Sequence, residues 1–166
     1  MQSISPETIF RGNDAWKKAL PHIVNLTKSP LILGRNVHTN DIKNKIFRDL
    51  KNQDLRVNSA NLQFDCCYED ISKVKNIILS NNNDAVVAAG GGKVLDSGKY
   101  IAEILNIPCI TVPLSASTCA GWTALSNIYT KNGQFLKDVA LRSCPKLLVF
   151  DHKFIQTAPS RTLASG

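Results

Sequence analysis

The sequence lacks a long hydrophobic run. Its longest apolar stretches, such as Ala85–Ala89 and Leu147–Phe150, fall far short of the roughly 20 residues that cross a bilayer. The N-terminus also lacks the apolar core behind a basic patch that marks a secretory leader. We therefore expect a cytoplasmic protein with no membrane partner.

A concentrated block of positive charge is missing as well. The 20 Lys and Arg residues give a formal net charge of +7, yet they are scattered and never form a block of about five or six. We expect no nucleic-acid partner. The diffuse positive charge instead favours a phosphate-bearing small molecule, because positive potential accelerates encounters with anions.

Residue patterns typical of structural metal sites are absent too. The three histidines, His22, His38 and His152, lie far apart and show no H-x-x-x-H spacing, so we predict no metal site built from them. The cysteines are odd in number and include no C-x-x-C pair, which predicts reduced thiols and no structural zinc. They are Cys66, Cys67, Cys109, Cys119 and Cys144.

The chain does have enough apolar surface for a core, since 43% of its 166 residues are hydrophobic. Helical and strand patterns alternate along it, which predicts an α/β fold: a Rossmann-like, doubly wound, mostly parallel sheet with a small β-hairpin insertion, forming one domain over residues 1–166. The predicted helices are Ala15–Val24, a helix capped by Thr39–Asp41 and extending to Leu50, Glu69–Ser80 and Val94–Leu105. The predicted strands are Leu31–Gly34, Leu55–Val57, Ala85–Ala89, Ile107–Val112 and Leu147–Phe150, with a hairpin of Ala124–Tyr129 and Phe135–Leu141.

Three consecutive glycines, Gly90, Gly91 and Gly92, join a predicted buried strand to a predicted helix. Glycine lets backbone N–H groups approach a ligand closely, and the helix N-terminus adds partial positive charge, so a phosphate or pyrophosphate suits this turn. Lys93 would add a full charge. The string lacks the third glycine of G-x-G-x-x-G and does not match a P-loop. A purely structural tight turn is the alternative.

Two further features follow this turn along the chain. Asp96 and Lys99 either form an i,i+3 ion pair near the start of the helix, or Asp96 accepts a hydrogen bond from a ligand. The segment Pro113–Gly121 follows the carboxyl end of a predicted strand and is rich in small hydroxyl side chains. Open α/β sheets bind ligands at such strand ends, so we expect a ligand to cover this segment.

A set of strings then occurs in a fixed order: Gly90–Lys99, Val112-Pro113, Ser117-Thr118, Ala124–Thr130 with Gly133 and Phe135, Val149–Asp151, and Ala158-Pro159. Over nearly the whole chain, their order and spacing resemble the glycerol dehydrogenase branch of the iron-containing alcohol dehydrogenase superfamily. The resemblance implies an N-terminal nucleotide-binding α/β domain. In the family a helical domain follows and supplies the metal ligands, and a nicotinamide coenzyme and the substrate bind in the cleft between the domains.

The resemblance also assigns the coenzyme to residues by position. It implies that Gly92–Asp96 hold the pyrophosphate, that Leu114–Ser117 face the adenine and ribose, and that Thr123, Leu125 and Tyr129 face the nicotinamide half. For Leu125 and Tyr129 the alternative is a place in a small hairpin core. The full predicted coenzyme-binding set is Arg35, Gly90, Gly91, Gly92, Lys93, Asp96, Leu114, Ser115, Ser117, Thr118, Thr123, Leu125 and Tyr129.

Two residues depart from the family pattern. Arg35 follows the first predicted strand, where the family commonly has an Asp that binds the adenosine ribose. Because an arginine attracts a 2′-phosphate, Arg35 predicts NADP(H) over NAD(H), with a solvated loop arginine as the alternative. Cys119 stands where glycerol dehydrogenases have an Asp near the substrate hydroxyls. A thiol is a weak acceptor, so glycerol itself is a doubtful substrate and Cys119 either lines another pocket or fills space.

The chain stops before the positions of the family's metal ligands, an Asp and two His. We expect Zn²⁺ or Fe²⁺ only in a full-length version, and without a Lewis acid hydride transfer has no obvious driver. The sequence therefore predicts the nucleotide-binding domain of a metal-dependent, NAD(P)-linked polyol or alcohol dehydrogenase, inactive alone and homo-oligomeric. The alternative is a non-catalytic dinucleotide-binding or oligomerisation module.

Overall fold

A computed structural model describes residues 5–35, 39–158 and 160–164. Six parallel strands form its main sheet: β1 (Thr8–Gly12), β2 (Pro30–Gly34), β3 (Asn58–Asn61), β4 (Ala85–Gly90), β5 (Cys109–Pro113) and, later in the chain, β8 (Leu147–Asp151). A separate antiparallel hairpin consists of β6 (Leu125–Tyr129) and β7 (Phe135–Ala140). The helices are α1 (Ala15–Leu26), α2 (Asn40–Lys51), α3 (Tyr68–Asn81), α4 (Gly92–Leu105), α5 (His152–Gln156) and α6 (Ser160–Ala164).

The strand order is β1-β8-β5-β4-β2-β3, and every pairing within the sheet is parallel. From β2 the chain moves outward to β3 and then crosses to the other side of β2 to form β4. The strand order therefore reverses between β2 and β4. In doubly wound sheets a crevice opens at the carboxyl ends of the two strands beside such a reversal. The predicted α/β class and doubly wound sheet are confirmed.

Burial on both faces explains the continuous apolar run of β4. Val87 and Ala89 belong to one core cluster, with the inner faces of α1 and α2. Val86 and Ala88 belong to the other, with α3 and α4. A strand covered by helices on both sides has no solvent face and therefore shows no apolar–polar alternation.

The predicted hairpin is also confirmed, and it packs on one side of the sheet. Ile128 of β6 is fully buried in the cluster that contains Leu95 and Ile101 of α4. The outer strand β7 is mostly exposed. Of the described helices, none combines the length and the hydropathy that a membrane crossing requires.

Two strand predictions need correction. The strand expected at Leu55–Val57 is wrong: the strand is β3, a few residues later, and Leu55 and Val57 are buried core residues outside it. β3 has the polar sequence N-S-A-N because it is an edge strand with three of its four residues not buried. The sequence pattern does not predict β1, because this strand too is short, lies at an edge of the sheet and mixes exposed with partly buried residues.

Candidate functional site

The triple glycine lies at the carboxyl edge of the sheet, beside the strand-order reversal. Gly90 ends β4, Gly91 is the N-cap of α4, and Gly92 begins the helix. No side chain of the described residues caps this helix, and its first turn contains no acidic residue. The first N–H groups of a helix have no intrahelical partner, so the partial positive charge of this N-terminus is not offset by its own first turn.

The three glycines differ in how much space surrounds them. A Cβ atom built on Gly91 would meet no atom of the described residues within 4 Å, whereas one on Gly92 would lie 3.0 Å from Thr118 Oγ1. Thr118 comes from the loop after β5, and the Leu114 N–H at the start of that loop donates to the Gly90 carbonyl at 3.0 Å. The turn and the hydroxyl-rich loop are therefore in contact, and open space remains above Gly91.

The hydroxyl-rich loop is organised by its own side chains. The Ser115 and Ser117 hydroxyls lie 2.7 Å apart, and Thr118 Oγ1 accepts a hydrogen bond from the Ala120 N–H at 3.1 Å. Leu114 is buried in the core cluster that contains Ile110 and Val112, so its side chain packs against the core. Cys119 is exposed in the same loop, so it does not fill a core space.

A charged cluster lies at this edge of the sheet, and its central member is not among the residues that the sequence predicts. Asp65, in the loop between β3 and α3, accepts a hydrogen bond from Lys93 Nζ at 2.5 Å. Arg35, directly after β2, places Nη1 2.7 Å from Asp65 Oδ1. We call these three residues the Arg35–Asp65–Lys93 bridge. An acid shortly after a predicted strand was the one signal in the sequence that could have pointed to Asp65.

Tyr129 joins the bridge through Lys93, whose Nζ lies 4.6 Å from the centre of the Tyr129 ring. The Tyr129 N–H donates to the Cys66 carbonyl at 2.8 Å, which ties the hairpin to the segment that carries Asp65. Tyr129 is partly buried against the core, in agreement with the hairpin-core alternative. That alternative is wrong for Leu125, which is 38% exposed.

Asp96 and Lys99 form the predicted i,i+3 ion pair, at 3.0 Å, with side chains only 9% and 1% exposed. Lys99 Nζ also donates to the Thr123 hydroxyl at 3.1 Å, to the Thr123 carbonyl at 3.2 Å and to the Leu125 carbonyl. Burial raises the pKa of Asp96, and Lys99 opposes that rise. The pair therefore anchors the start of the hairpin to α4, while ligand binding by Asp96 stays a prediction.

The described residues do not fit a metal site, because they contain no group of three or more His, Cys, Asp or Glu side chains close enough to hold an ion. His22 packs on Phe10 and His152 on Phe150, and His38 lies outside the described residues. All five cysteines are free thiols. Burial raises the pKa of Cys66 and of Cys109 to about 12, which keeps both thiols protonated and unreactive.

A doubly wound parallel sheet with a glycine turn at its strand-order reversal defines the class of α/β nucleotide-binding domains found in many oxidoreductases. Within that class the chain belongs to the iron-containing alcohol dehydrogenase family, whose sequence model matches residues 6–152. The resemblance to its glycerol dehydrogenase branch is confirmed as well.

Individual relatives agree with this assignment. The chain is 36% identical over 165 residues to an uncharacterized oxidoreductase of Synechocystis, covering 99% of this chain and 42% of that protein. It is 31% identical over 163 residues to glycerol dehydrogenase 1 of Schizosaccharomyces pombe, covering 98% and 36%. A crystal structure of glycerol dehydrogenase from Schizosaccharomyces pombe matches with a TM-score of 0.87 at 29% identity, covering 99% and 42%. The chain thus spans less than half the length of these relatives and corresponds to their N-terminal portion.

Proposed function

We propose that residues 1–166 are the coenzyme-binding domain of a metal-dependent, NAD(P)-linked alcohol or polyol dehydrogenase. One observation carries this proposal: open space above Gly91 at the uncapped N-terminus of α4, beside the strand-order reversal. Family membership supports a dinucleotide and an alcohol as ligands. Backbone N–H groups of the turn would bind the coenzyme pyrophosphate there, with the positive end of α4 adding attraction.

The surrounding residues would orient the rest of the coenzyme. Lys93 contributes a full positive charge beside the turn, and the Ser115–Thr118 loop offers hydroxyl groups on the β5 side of the crevice. Tyr129, in contact with Lys93, would face the nicotinamide half together with Thr123 and Leu125. The Lys99 contacts hold Thr123 and Leu125 at fixed positions relative to α4.

Replacing Gly91 with alanine tests the proposal against a structural tight turn. The new methyl group meets no atom within 4 Å in the part of the chain that the structure describes, so we expect the free energy of unfolding to fall by at most about 1 kcal/mol, the cost of alanine at an N-cap. The methyl group would occupy the pyrophosphate position, so calorimetry should show at least about tenfold weaker NADH and NADPH binding. Wild-type affinities in a normally folded G91A variant would favour the structural turn.

We further propose that the coenzyme is NADP(H) in preference to NAD(H). Arg35 and Lys93 carry two positive charges against the one negative charge of Asp65, and the Arg35 side chain is 42% exposed. A 2′-phosphate at the end of β2 would meet an accessible guanidinium with which it can form charge-assisted hydrogen bonds. NADPH should therefore bind the wild-type chain more tightly than NADH, and R35Q should weaken NADPH selectively. Tighter NADH binding would contradict this preference.

The substrate would be a small alcohol or polyol, with Cys119 facing it from the exposed loop after β5. The metal would polarise the substrate hydroxyl. Its ligands would have to come from outside the described residues, which contain no suitable cluster. We expect the chain alone to show no alcohol-dependent reduction of NAD(P), even with added Zn²⁺ or Fe²⁺. Turnover by the isolated chain would contradict this division of roles.

A cytoplasmic location and a homo-oligomeric state complete the proposal. Free cysteines throughout the chain support a reducing compartment. Leu125, Phe135 and Leu136 of the hairpin are 38%, 60% and 50% exposed, and an apolar surface of this kind favours association. A monomer mass at high concentration in sedimentation equilibrium would count against self-association.

A further inference from the structure

Asp65 is a buried charged group whose environment is unusual. Its side chain is 9% exposed and lies between two cations, Lys93 and Arg35, that are 38% and 42% exposed. Its two oxygens are bound differently. Oδ2 accepts a hydrogen bond from Lys93, whereas Oδ1 accepts none from the described residues, although Arg35 Nη1 is 2.7 Å away. The guanidinium is therefore close enough for ion pairing but is not aligned for a hydrogen bond.

Lys93 and Arg35 therefore differ in how firmly each is held. Lys93 is held on one side by Asp65 and on the other by the Tyr129 ring, 4.6 Å from its Nζ. Arg35 is held by its ion pair with Asp65, so a 2′-phosphate must compete with this carboxylate for the guanidinium. A phosphate monoester carries about −1.5 to −2 charges at neutral pH and outcompetes a single carboxylate for a guanidinium.

The same carboxylate repels any phosphate that comes to Arg35. Asp65 cannot move away into solvent without breaking its hydrogen bond to Lys93, and its burial weakens solvent screening of its charge. A 2′-phosphate near Arg35 therefore gains the guanidinium but meets a fixed negative charge behind it. A coenzyme with a free 2′-hydroxyl experiences neither effect.

We propose that Asp65 is a specificity-determining residue that selectively lowers the affinity for 2′-phosphorylated coenzyme. It does so by competing for Arg35 and by repelling the 2′-phosphate. This inference rests on the proposed coenzyme site at the glycine turn, but it assigns to Asp65 a role that neither the glycine turn nor Arg35 requires. The predicted quantity is the ratio of the NADH to the NADPH dissociation constant, which should rise when the charge of Asp65 is removed.

Calorimetric titration of the wild-type chain and of D65N with both coenzymes tests this role. D65N has nearly the shape of aspartate, and its amide oxygen can still accept from Lys93. We expect NADPH to bind D65N about tenfold more tightly than it binds the wild type, with NADH changed by less than about threefold. The pair 2′,5′-ADP and 5′-AMP, which also differ by one 2′-phosphate, should show the same shift. D65E, which keeps the charge, should retain the wild-type ratio.

A matched control is E103Q, which neutralises the carboxylate paired with Arg142 near the far end of α4 and should leave the ratio unchanged. If D65N folded and bound both coenzymes with the wild-type ratio of dissociation constants, the inference about Asp65 would be overturned and the proposed coenzyme site would stand. Equal gains for both coenzymes would also overturn it, because Asp65 would then act on the pyrophosphate through Lys93. If neither NADH nor NADPH bound the wild type or any variant, the proposed function would be overturned together with the inference.

A second variant, R35Q, tests the inference if D65N does not fold, because Arg35 is exposed and its replacement should leave the fold intact. In R35Q the 2′-phosphate would meet Asp65 with no guanidinium to offset it. We therefore expect NADPH to bind R35Q at least about tenfold more weakly than NADH. Equal affinities of R35Q for the two coenzymes would overturn the inference, because they would show that Asp65 exerts no repulsion on the 2′-phosphate.

Discussion

Replacing Lys99 with methionine is expected to lower the free energy of unfolding by about 3–5 kcal/mol, because it leaves the buried Asp96 carboxylate without its counter-ion. The Lys99 side chain is 1% exposed and lies 3.0 Å from Asp96 Oδ1. Methionine has a similar length and is apolar, so the change removes a charge and few packing contacts. The Thr123 and Leu125 carbonyls lose a donor as well, which should loosen the start of the hairpin. Urea unfolding monitored by circular dichroism measures the loss.

The loss should depend on pH in a defined direction. Burial raises the pKa of Asp96, and Lys99 lowers it; without Lys99 the pKa of the buried carboxyl rises further. A carboxyl whose pKa is raised in the folded state binds its proton more tightly there than in the unfolded state. The stability from that proton is complete below the ordinary carboxyl pKa and disappears as the pH rises through the folded-state pKa. The K99M variant should thus be weakest near neutral pH and recover part of its stability in acid.

Lys146→Met supplies the control for this prediction. Lys146 pairs with Glu7 at the surface, where the two side chains are 45% and 57% exposed, and such pairs contribute little. We expect a change within about 0.5 kcal/mol. If K99M were as mild as K146M, or if its deficit were the same at neutral and acid pH, the buried ion pair would not be what anchors the hairpin.

The second large effect is expected for Gly98→Ala. A Cβ atom at Gly98 would lie 2.4 Å from the Ala88 Cβ on β4, far inside contact distance, so α4 must move away from the sheet. We expect the free energy of unfolding to fall by about 1–3 kcal/mol from overpacking, although alanine favours a helix over glycine by roughly 1 kcal/mol. Because α4 begins at the glycine turn, the shift should also weaken coenzyme binding in the proposed site.

The G91A variant is the natural comparison, since it adds the same methyl group seven positions earlier, in open space. G91A should remain near wild-type stability while G98A does not. A G98A variant as stable as the wild type would mean that α4 and β4 can separate without cost. Gly98 thus has the packing role of the third glycine in the usual dinucleotide-binding fingerprint, at a position that the fingerprint spacing does not reveal.

The fold was predictable where local pattern is strong. The buried strand before Gly90, the helix after it and the hairpin around Gly133 all follow from periodicity and turn chemistry, which depend on neighbours in the chain. The edge strands were not predictable in the same way. β1 pairs Thr8 with Leu147, and β3 is polar; at an edge, pairing is decided by a distant strand and only one side of the ladder is hydrogen-bonded.

The candidate site likewise contains features that local sequence patterns predict and features that depend on tertiary structure. Local sequence patterns predict the glycine turn and the hydroxyl-rich loop, and they bring Asp96 and Lys99 within one helical turn of each other. The meeting of Arg35, Asp65 and Lys93, and the packing of Gly98 against Ala88, depend on how the strands assemble into the sheet. The physical reason is strand order: parallel pairing brings the carboxyl ends of β2 and β4 to one edge, and no local periodicity encodes which strands become neighbours.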